Sequence, residues 1–220
     1  MELTPEEGRV LGALVEKELT TPQGYPLTDN ALVAACNQTT SRDPVVSYDV
    51  PTVRVAVRSL REQELLRTVH RTGERSDKHR HELPAALGLS TEQVAVLAVL
   101  LLRGPQTAAE VRARSERMHA FGSVEDVEDV LMSLADRELT VLLERQPGRK
   151  EPRWAQRLAE GGVPGVGVPA GTAHVPVMPP VPPRPPAEPP SSEIAELRAE
   201  VSELRAEVER LQALVERLLD

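Results

Sequence analysis

The run SLREQELL, Ser59–Leu66, returns 74 residues downstream as SLADRELT, Ser133–Thr140. Nearer the start of each copy, LTPEEGRVLGALV, Leu3–Val15, resembles LSTEQVAVLAVLL, Leu89–Leu101, at an offset of 86. The two offsets place about twelve additional residues in the first copy, between its opening helix and its third. A repeat this long implies two similar domains rather than a solenoid of short units.

Caps and apolar spacing fix the elements of each copy. Thr4-Pro5-Glu6-Glu7 is a capping box with proline at the first helical position, and the residues Ser90 to Gln93 form a second box without the proline. They open helices over Thr4–Leu19 and Ser90–Arg103. Thr28 starts a second helix, TDNALVAACNQ, and Thr107 with Glu110 caps its counterpart, TAAEVRARS. Third helices run from Ser47 or Asp49 to Glu64, and from Ser123, boxed with Asp126, to Glu138. Each continues into a hairpin. LLRTVH turns through Thr72-Gly73-Glu74 and returns as KHRHEL, while VLLER turns through Pro147-Gly148 and returns as RWAQRL. Three helices closed by a two-stranded hairpin form the winged-helix variant of helix-turn-helix.

After residue 159 the composition changes. Glu160–Pro190 holds eleven prolines and five glycines with almost no large apolar residue, and is read as a semi-extended linker. Beyond it, Ile194, Leu197, Val201, Leu204, Val208, Leu211, Val215 and Leu218 alternate at spacings of 3 and 4, a seven-residue period. The a positions are β-branched and the d positions leucine, the pattern of a parallel two-stranded coiled coil. In that frame Glu193 and Glu200 face Arg198 and Arg205 of a parallel partner. Leu214 and Leu219 widen the apolar face near the end, which leaves a trimer or a further partner open. The expected class is therefore mainly α with small β-hairpin wings: winged-helix domains at 1–86 and 87–159, a Pro/Gly-rich linker at 160–190, and a dimerising parallel coiled coil at 191–220.

Tyr25, Tyr48, Phe121 and Trp154 are the only Phe, Tyr or Trp residues, so the cores must be aliphatic. The single Cys36 excludes an intramolecular disulfide and suits a reducing cytoplasm. No basic-then-apolar leader opens the sequence, and AVLAVLLL, Ala95–Leu102, is too short to cross a bilayer. The expectation is a soluble cytoplasmic protein without membrane contact. No P-loop, dinucleotide-binding turn, HExxH or nucleophile elbow occurs, so a non-enzymatic protein without cofactor or metal is expected.

Three longer runs are familiar together: EKELTTPQGYPLTDNALVAACNQTTSRDPV from Glu16, LLRGPQTAAEVRARSERMHAF from Leu101, and QPGRKEPRW from Gln146. They resemble the YceH-like family of bacterial proteins. That resemblance, which covers the first 158 residues and the tail, implies tandem winged-helix domains and often a C-terminal coiled coil. The family is one of unknown function, and the resemblance brings no catalytic residues.

Charge points to one surface. The net charge of -8 disfavours general adhesion to nucleic acid, yet Thr52–His81 carries seven Arg and one Lys against four acids. Arg54, Arg58 and Arg61 share one face of the third helix, beside a buried stripe of Val53, Val57 and Leu60. In a helix-turn-helix that face enters the major groove, where Arg contacts phosphates or pairs with guanine O6 and N7. Arg71, Arg75, Lys78 and Arg80 fall on or near the wing, where backbone contacts usually occur. Asn37, Gln38 and Arg42, in the turn ACNQTTSRDP, are further candidates for phosphate or base contact. They serve equally well as turn chemistry, with Arg42 paired to Asp43 or Asp49. Cys36 reads as a small core residue. His70, His79 and His81 read as solvated or phosphate-facing, and Arg112, Arg114 and Arg117 as a surface patch or a protein interface.

The repeat supplies a control. At the same helical positions the second copy has Glu128, Met132 and Ala135, preceded by Glu125 and Asp126, so a protein contact is expected there rather than DNA. Its wing is nevertheless basic through Arg145, Arg149, Lys150 and Arg153. The leading expectation is a dimeric DNA-binding protein of the transcriptional-regulator type. The competing one is a protein interaction scaffold that binds no DNA.

Overall fold

Thr4 accepts a hydrogen bond from the Glu7 amide while Glu7 accepts one from the Thr4 amide, and this closed box starts α1, Pro5–Thr20. In the computed structural model, which describes residues 2–70, 76–145, 151–160 and 162, the chain is mainly helical with small antiparallel sheets. A short 3-10 turn at Pro22–Gly24 and strand β1, Leu27–Thr28, lead into α2, Asp29–Cys36, and α3, Val50–Glu62. Strands β2, Leu66–Val69, and β3, Lys78–His81, follow, then α4, Leu83–Leu87. The series then repeats as α5, Thr91–Arg103; α6, Ala108–Ser115; α7, Val124–Asp136; β4, Thr140–Leu142; and β5, Trp154–Gln156. The chain divides into two compact units, Met1–Ala170 and Gly171–Asp220, and every described residue belongs to the first. The predicted coiled coil and almost all of the predicted linker lie outside the described residues.

Both copies of the opening motif end their helix in the same way. Leu65 N–H bonds Leu60 O at 2.9 Å and Glu64 N–H bonds Arg61 O at 3.1 Å; in the second copy Leu139 bonds Leu134 and Glu138 bonds Ala135, each at 2.9 Å. This is the Schellman pattern, and it needs a left-handed residue after the cap. Glu64 and Glu138 supply it, at φ 60° and 57°, although neither is glycine. Such a residue costs about 1 kcal/mol, offset here by burial of Leu60 and Leu65 in one copy and of Leu134 in the other.

Three strands, one more than the sequence pattern anticipates, form the first sheet, in the order β1-β3-β2, all antiparallel. Leu27 pairs with His79 just ahead of the Thr28 cap. In the second copy Gln106 bridges Trp154 just ahead of the Thr107 cap, so the short β1 has a one-residue equivalent.

The two copies meet through their first helices, with α1 packed on α5. Residues 10 to 15 of α1, apart from Gly12 all hydrophobic, are buried without interruption, as are residues 94 to 100 of α5. Helices buried all round are interior helices. Glycine permits the close approach: a Cβ at Gly8 would lie 2.8 Å from Ala159 Cβ, and one at Gly12 3.0 Å from Leu102 Cγ. The chain segment ahead of α1 closes the same seam, with Leu3 N–H bonded to Leu158 O at 2.7 Å and Glu160 N–H to Leu3 O at 2.8 Å.

A second buried network fixes the turn between α2 and α3. Arg42, its side chain 0% exposed, donates from Nη1 and Nη2 to Glu16 at 3.0 and 2.6 Å. Its Nε and Nη2 bond Ala35 O at 3.1 and 2.9 Å, and Nη2 also reaches Gln38 Oε1 at 2.8 Å. Arg9 bonds Pro44 O at 2.6 Å and Cys36 O at 3.4 Å, and burial lowers its pKa. Two guanidinium groups thus satisfy the carbonyls that end α2 and complement its negative pole. Asn37 fastens the far side of the turn, donating to Tyr48 O at 2.7 Å and accepting from Tyr48 N at 2.8 Å. These contacts are those of the turn-chemistry alternative: the polar groups of Asn37, Gln38 and Arg42 hold the turn, and Arg42 pairs with Glu16 rather than Asp43 or Asp49. Cys36 is buried, and desolvation pushes its thiol up to about 12.

Two stability outcomes follow. Gly12→Leu forces a side chain into the α1/α5 seam and is expected to lower the unfolding free energy by about 1–3 kcal/mol, read from urea denaturation. Arg42→Met leaves the largely buried Glu16 carboxylate with only the 3.6 Å Lys17 contact and both bonds to the Ala35 carbonyl of α2 unmade, and a loss of about 3 kcal/mol is expected by the same measurement; an unchanged midpoint would count against the network's structural role.

Candidate nucleic-acid interface

Helix α3 is set by Asp49, whose carboxylate accepts the Thr52 amide at 2.9 Å as the N-cap. Val53, Ala56, Val57 and Leu60 face inward and are buried. Consequently Arg54, Arg58 and Arg61 face outward, beside Val55, which is 68% exposed. Neither the Arg58 nor the Arg61 side chain forms a hydrogen bond or ion pair among the described residues.

Arg54 differs from its neighbours. Its Nε donates to Asp29 Oδ2 at 2.7 Å, yet the side chain stays 66% exposed. The other carboxylate oxygen, Oδ1, lies 2.8 Å from His79 Nε2, and His79 Nδ1 lies 3.2 Å from Thr68 Oγ1. With Nε2 donating to Asp29, Nδ1 accepts from the Thr68 hydroxyl when the imidazole is neutral and donates to the Thr68 oxygen when it is protonated. Burial pushes the Asp29 pKa up, but the hydrogen bonds and charges of Arg54 and His79 outweigh it and hold the group below its ordinary value. Asp29 also sits in the first turn of α2, where negative charge is favoured. The group joins α2, α3, β2 and β3.

The histidines depart from expectation. Strand alternation puts His79 and His81 on the inner face with Leu66, and both are buried rather than solvated or facing phosphate. His81 Nε2 lies 2.5 Å from Glu18 Oε2, its Nδ1 accepts the Leu83 amide at 3.3 Å, and its own amide donates to Tyr25 Oη at 2.7 Å. The hydrogen bond from His81 holds the Glu18 pKa below its ordinary value. His70 is exposed and pairs with Asp77 at 2.6 Å.

On the outer face of the sheet Arg67 and Arg80 sit opposite one another and share Glu82, at 3.5 and 2.9 Å. Arg80 is thus placed on the exposed surface but partly neutralised, and Arg67 joins it there. Lys78 is half-buried at the start of β3. Arg71 and Arg75 lie outside the described residues, as do Arg149 and Lys150 of the second hairpin and Ile194, Leu197, Val201, Leu204, Val208, Leu211, Val215 and Leu218.

In the second copy, α7 buries Val127, Leu131 and Leu134 and exposes Glu125, Asp126, Glu128, Asp129 and Met132. Its boundaries are those of α3 moved by 74 residues, so the two helices share a frame and differ in outward charge. Arg153 is engaged internally, donating from Nη1 and Nη2 to Glu110 at 2.8 and 3.1 Å and from Nη1 to Pro105 O at 2.8 Å. Arg112 bonds the carbonyls of Phe121 and Gly122, at 3.3 and 3.0 Å, and steadies the approach to α7. Sequence reasoning missed Asp29 as the brace of Arg54 and Arg67 as the neighbour of Arg80. Residue spacing carries no signal for a contact between positions 29 and 79; only the register of β2 on β3 places Arg67 opposite Arg80. Among the described residues no helix is long and apolar enough to cross a membrane.

Comparison with known proteins agrees with the resemblance noted above. The family described as "Protein of unknown function, DUF480" matches residues 3–149. A UPF0502 protein of Koribacter versatilis is 50% identical over 158 residues, which cover 71% of this chain and 73% of the relative. One from Opitutus terrae is 51% identical over 154 residues, 69% and 67% of the two chains, and one from Shewanella sp. strain MR-4 is 45% identical over 167 residues, 73% and 75%. The chain therefore belongs to the DUF480/UPF0502 family of bacterial proteins of unknown function.

Proposed function

We propose that this protein is a non-enzymatic, DNA-binding regulator built from tandem winged-helix domains, in which the first inserts α3 into the major groove. The observation that carries the reading is the outward face of α3. Arg58 and Arg61 stand exposed without partners among the described residues, next to a braced Arg54. Two cations without a counter-ion on one helix face favour an anionic partner, and the phosphate backbone is a dense array of such anions. The order helix, helix, helix, hairpin in each copy supports the winged-helix assignment, with β1 as the third strand of the first sheet. The heptads of residues 191–220 would pair two chains, and the Pro-rich segment would give the two heads variable spacing.

A second reading, in which the domains bind protein, is favoured by α7. Its exposed acids would be repelled by phosphate, and Met132 beside them is 49% exposed. The two readings are compatible if the first copy contacts DNA and the second a protein.

Fluorescence anisotropy with a labelled duplex, titrated with salt, tests the first. Wild type is expected to bind, with affinity falling steeply as salt rises. Arg58→Ala/Arg61→Ala should weaken binding to all sequences and reduce the salt slope by about one for each phosphate left without its arginine. Failure of wild type to bind any duplex at low salt would refute the DNA reading. For the tail, truncation after Ala159 is expected to lower the solution mass in light scattering from dimer to monomer; a truncated chain that stays dimeric assigns pairing elsewhere.

A further inference from the structure

Resting on the DNA-binding reading of α3, we infer that Arg54 is the residue of this face that reads a base, that the base is guanine, and that Asp29, backed by His79, positions it. The three arginines share a helix face but not a chemical situation. Arg58 and Arg61 have no partners among the described residues and keep their rotamer freedom. Such side chains suit phosphates, which tolerate many approach geometries. Arg54 is held through Nε by Asp29 Oδ2 at 2.7 Å, which occupies one of its five donors and leaves the Nη1 and Nη2 groups unengaged.

The brace is itself fixed. Asp29 is held from behind by buried His79 at 2.8 Å, and His79 by Thr68 at 3.2 Å, so the carboxylate is anchored to the sheet as well as to α2. Holding the guanidinium before binding reduces the ordering cost on association and restricts the directions in which it donates. A fork of two donors matches a base edge that offers two acceptors. In the major groove that edge is guanine O6 and N7, whereas adenine presents N7 beside a donor. Pairing of Asp29 with Arg54 limits the repulsion that a bare carboxylate would bring near phosphate.

The test is selection from a random-sequence duplex library by the full-length protein, with sequencing of the bound fraction and anisotropy on the enriched duplexes and their single-base variants. Wild type is expected to enrich a fixed G·C pair. Arg54→Lys keeps the charge but loses the fork, so its preference for guanine at that pair should fall about tenfold or more, while its salt slope stays near wild type. Arg58→Ala should lower affinity for every duplex and retain the guanine preference. Asp29→Asn should reduce the preference with little loss of overall affinity, and Thr68→Val should do so more weakly, each variant being checked for native unfolding behaviour in urea. Unchanged enrichment by Arg54→Lys would overturn the assignment of Arg54, and unchanged preference in Asp29→Asn would overturn the positioning role. Failure of wild type to bind any duplex would remove the DNA reading and this inference together.

Discussion

The close contact of α1 with α5 is the constraint on which the rest of the unit depends. Each copy is too small to enclose its own first helix, and each leaves one side of that helix uncovered. Placing the two uncovered sides together removes both from water, which is why Val10 and Leu11, and Val94 to Leu100, are buried in unbroken runs. Close approach needs side chains that are barely there. Gly8 and Gly12 provide it, one turn apart, against Ala159, Leu101 and Leu102. In an isolated helix each would cost about 1 kcal/mol relative to alanine, and their place in α1 makes sense only as half of a seam.

That seam lets one scaffold carry two surfaces. α3 and α7 are held in equivalent frames by equivalent devices: an acidic or hydroxyl N-cap, an inward aliphatic stripe, and a left-handed glutamate at the end. Nothing in those devices reaches the outward face. The first copy has filled it with arginine and the second with glutamate and aspartate, and the net charge of -8 conceals this division. Because the interior does not require either set, the difference belongs to what each face meets.

The parts legible in the sequence were those decided locally. Thr4, Thr28, Ser90, Thr107 and Ser123 stand at the caps where their spacing puts them, and of the two candidates Ser47 and Asp49 the second caps α3, because capping depends on residues within one turn. The eight-residue echo at Ser59 and Ser133 was likewise local, and the structure explains it as two identical helix endings. Contacts between distant positions were not legible. Arg42 reads as a nucleic-acid contact or as a partner of Asp43 or Asp49 because nothing nearby announces Glu16, and His79 reads as solvated or phosphate-facing because Asp29 lies fifty residues earlier. Burial of a charged or polar side chain is decided by its partner, and the partner's position is a property of the fold.

The two kinds of arginine in the first copy are connected. Arg42 and Arg9 are buried, and they complete the end of α2 and clamp the turn that follows it. Asn37 then joins that turn to Tyr48, one residue ahead of the Asp49 cap that starts α3. At its opposite end α2 carries Asp29, which holds Arg54 on the surface of α3. A short helix of eight residues is thus tied at its C-terminus to the core and at its N-terminus to the exposed arginine face. Loosening either end would let α3 turn against α2, and on the proposed DNA-binding reading a face of fixed orientation is what would discriminate among bases. On that reading the buried arginines of this copy would act through the orientation they impose on α3, with none of their own atoms reaching the ligand.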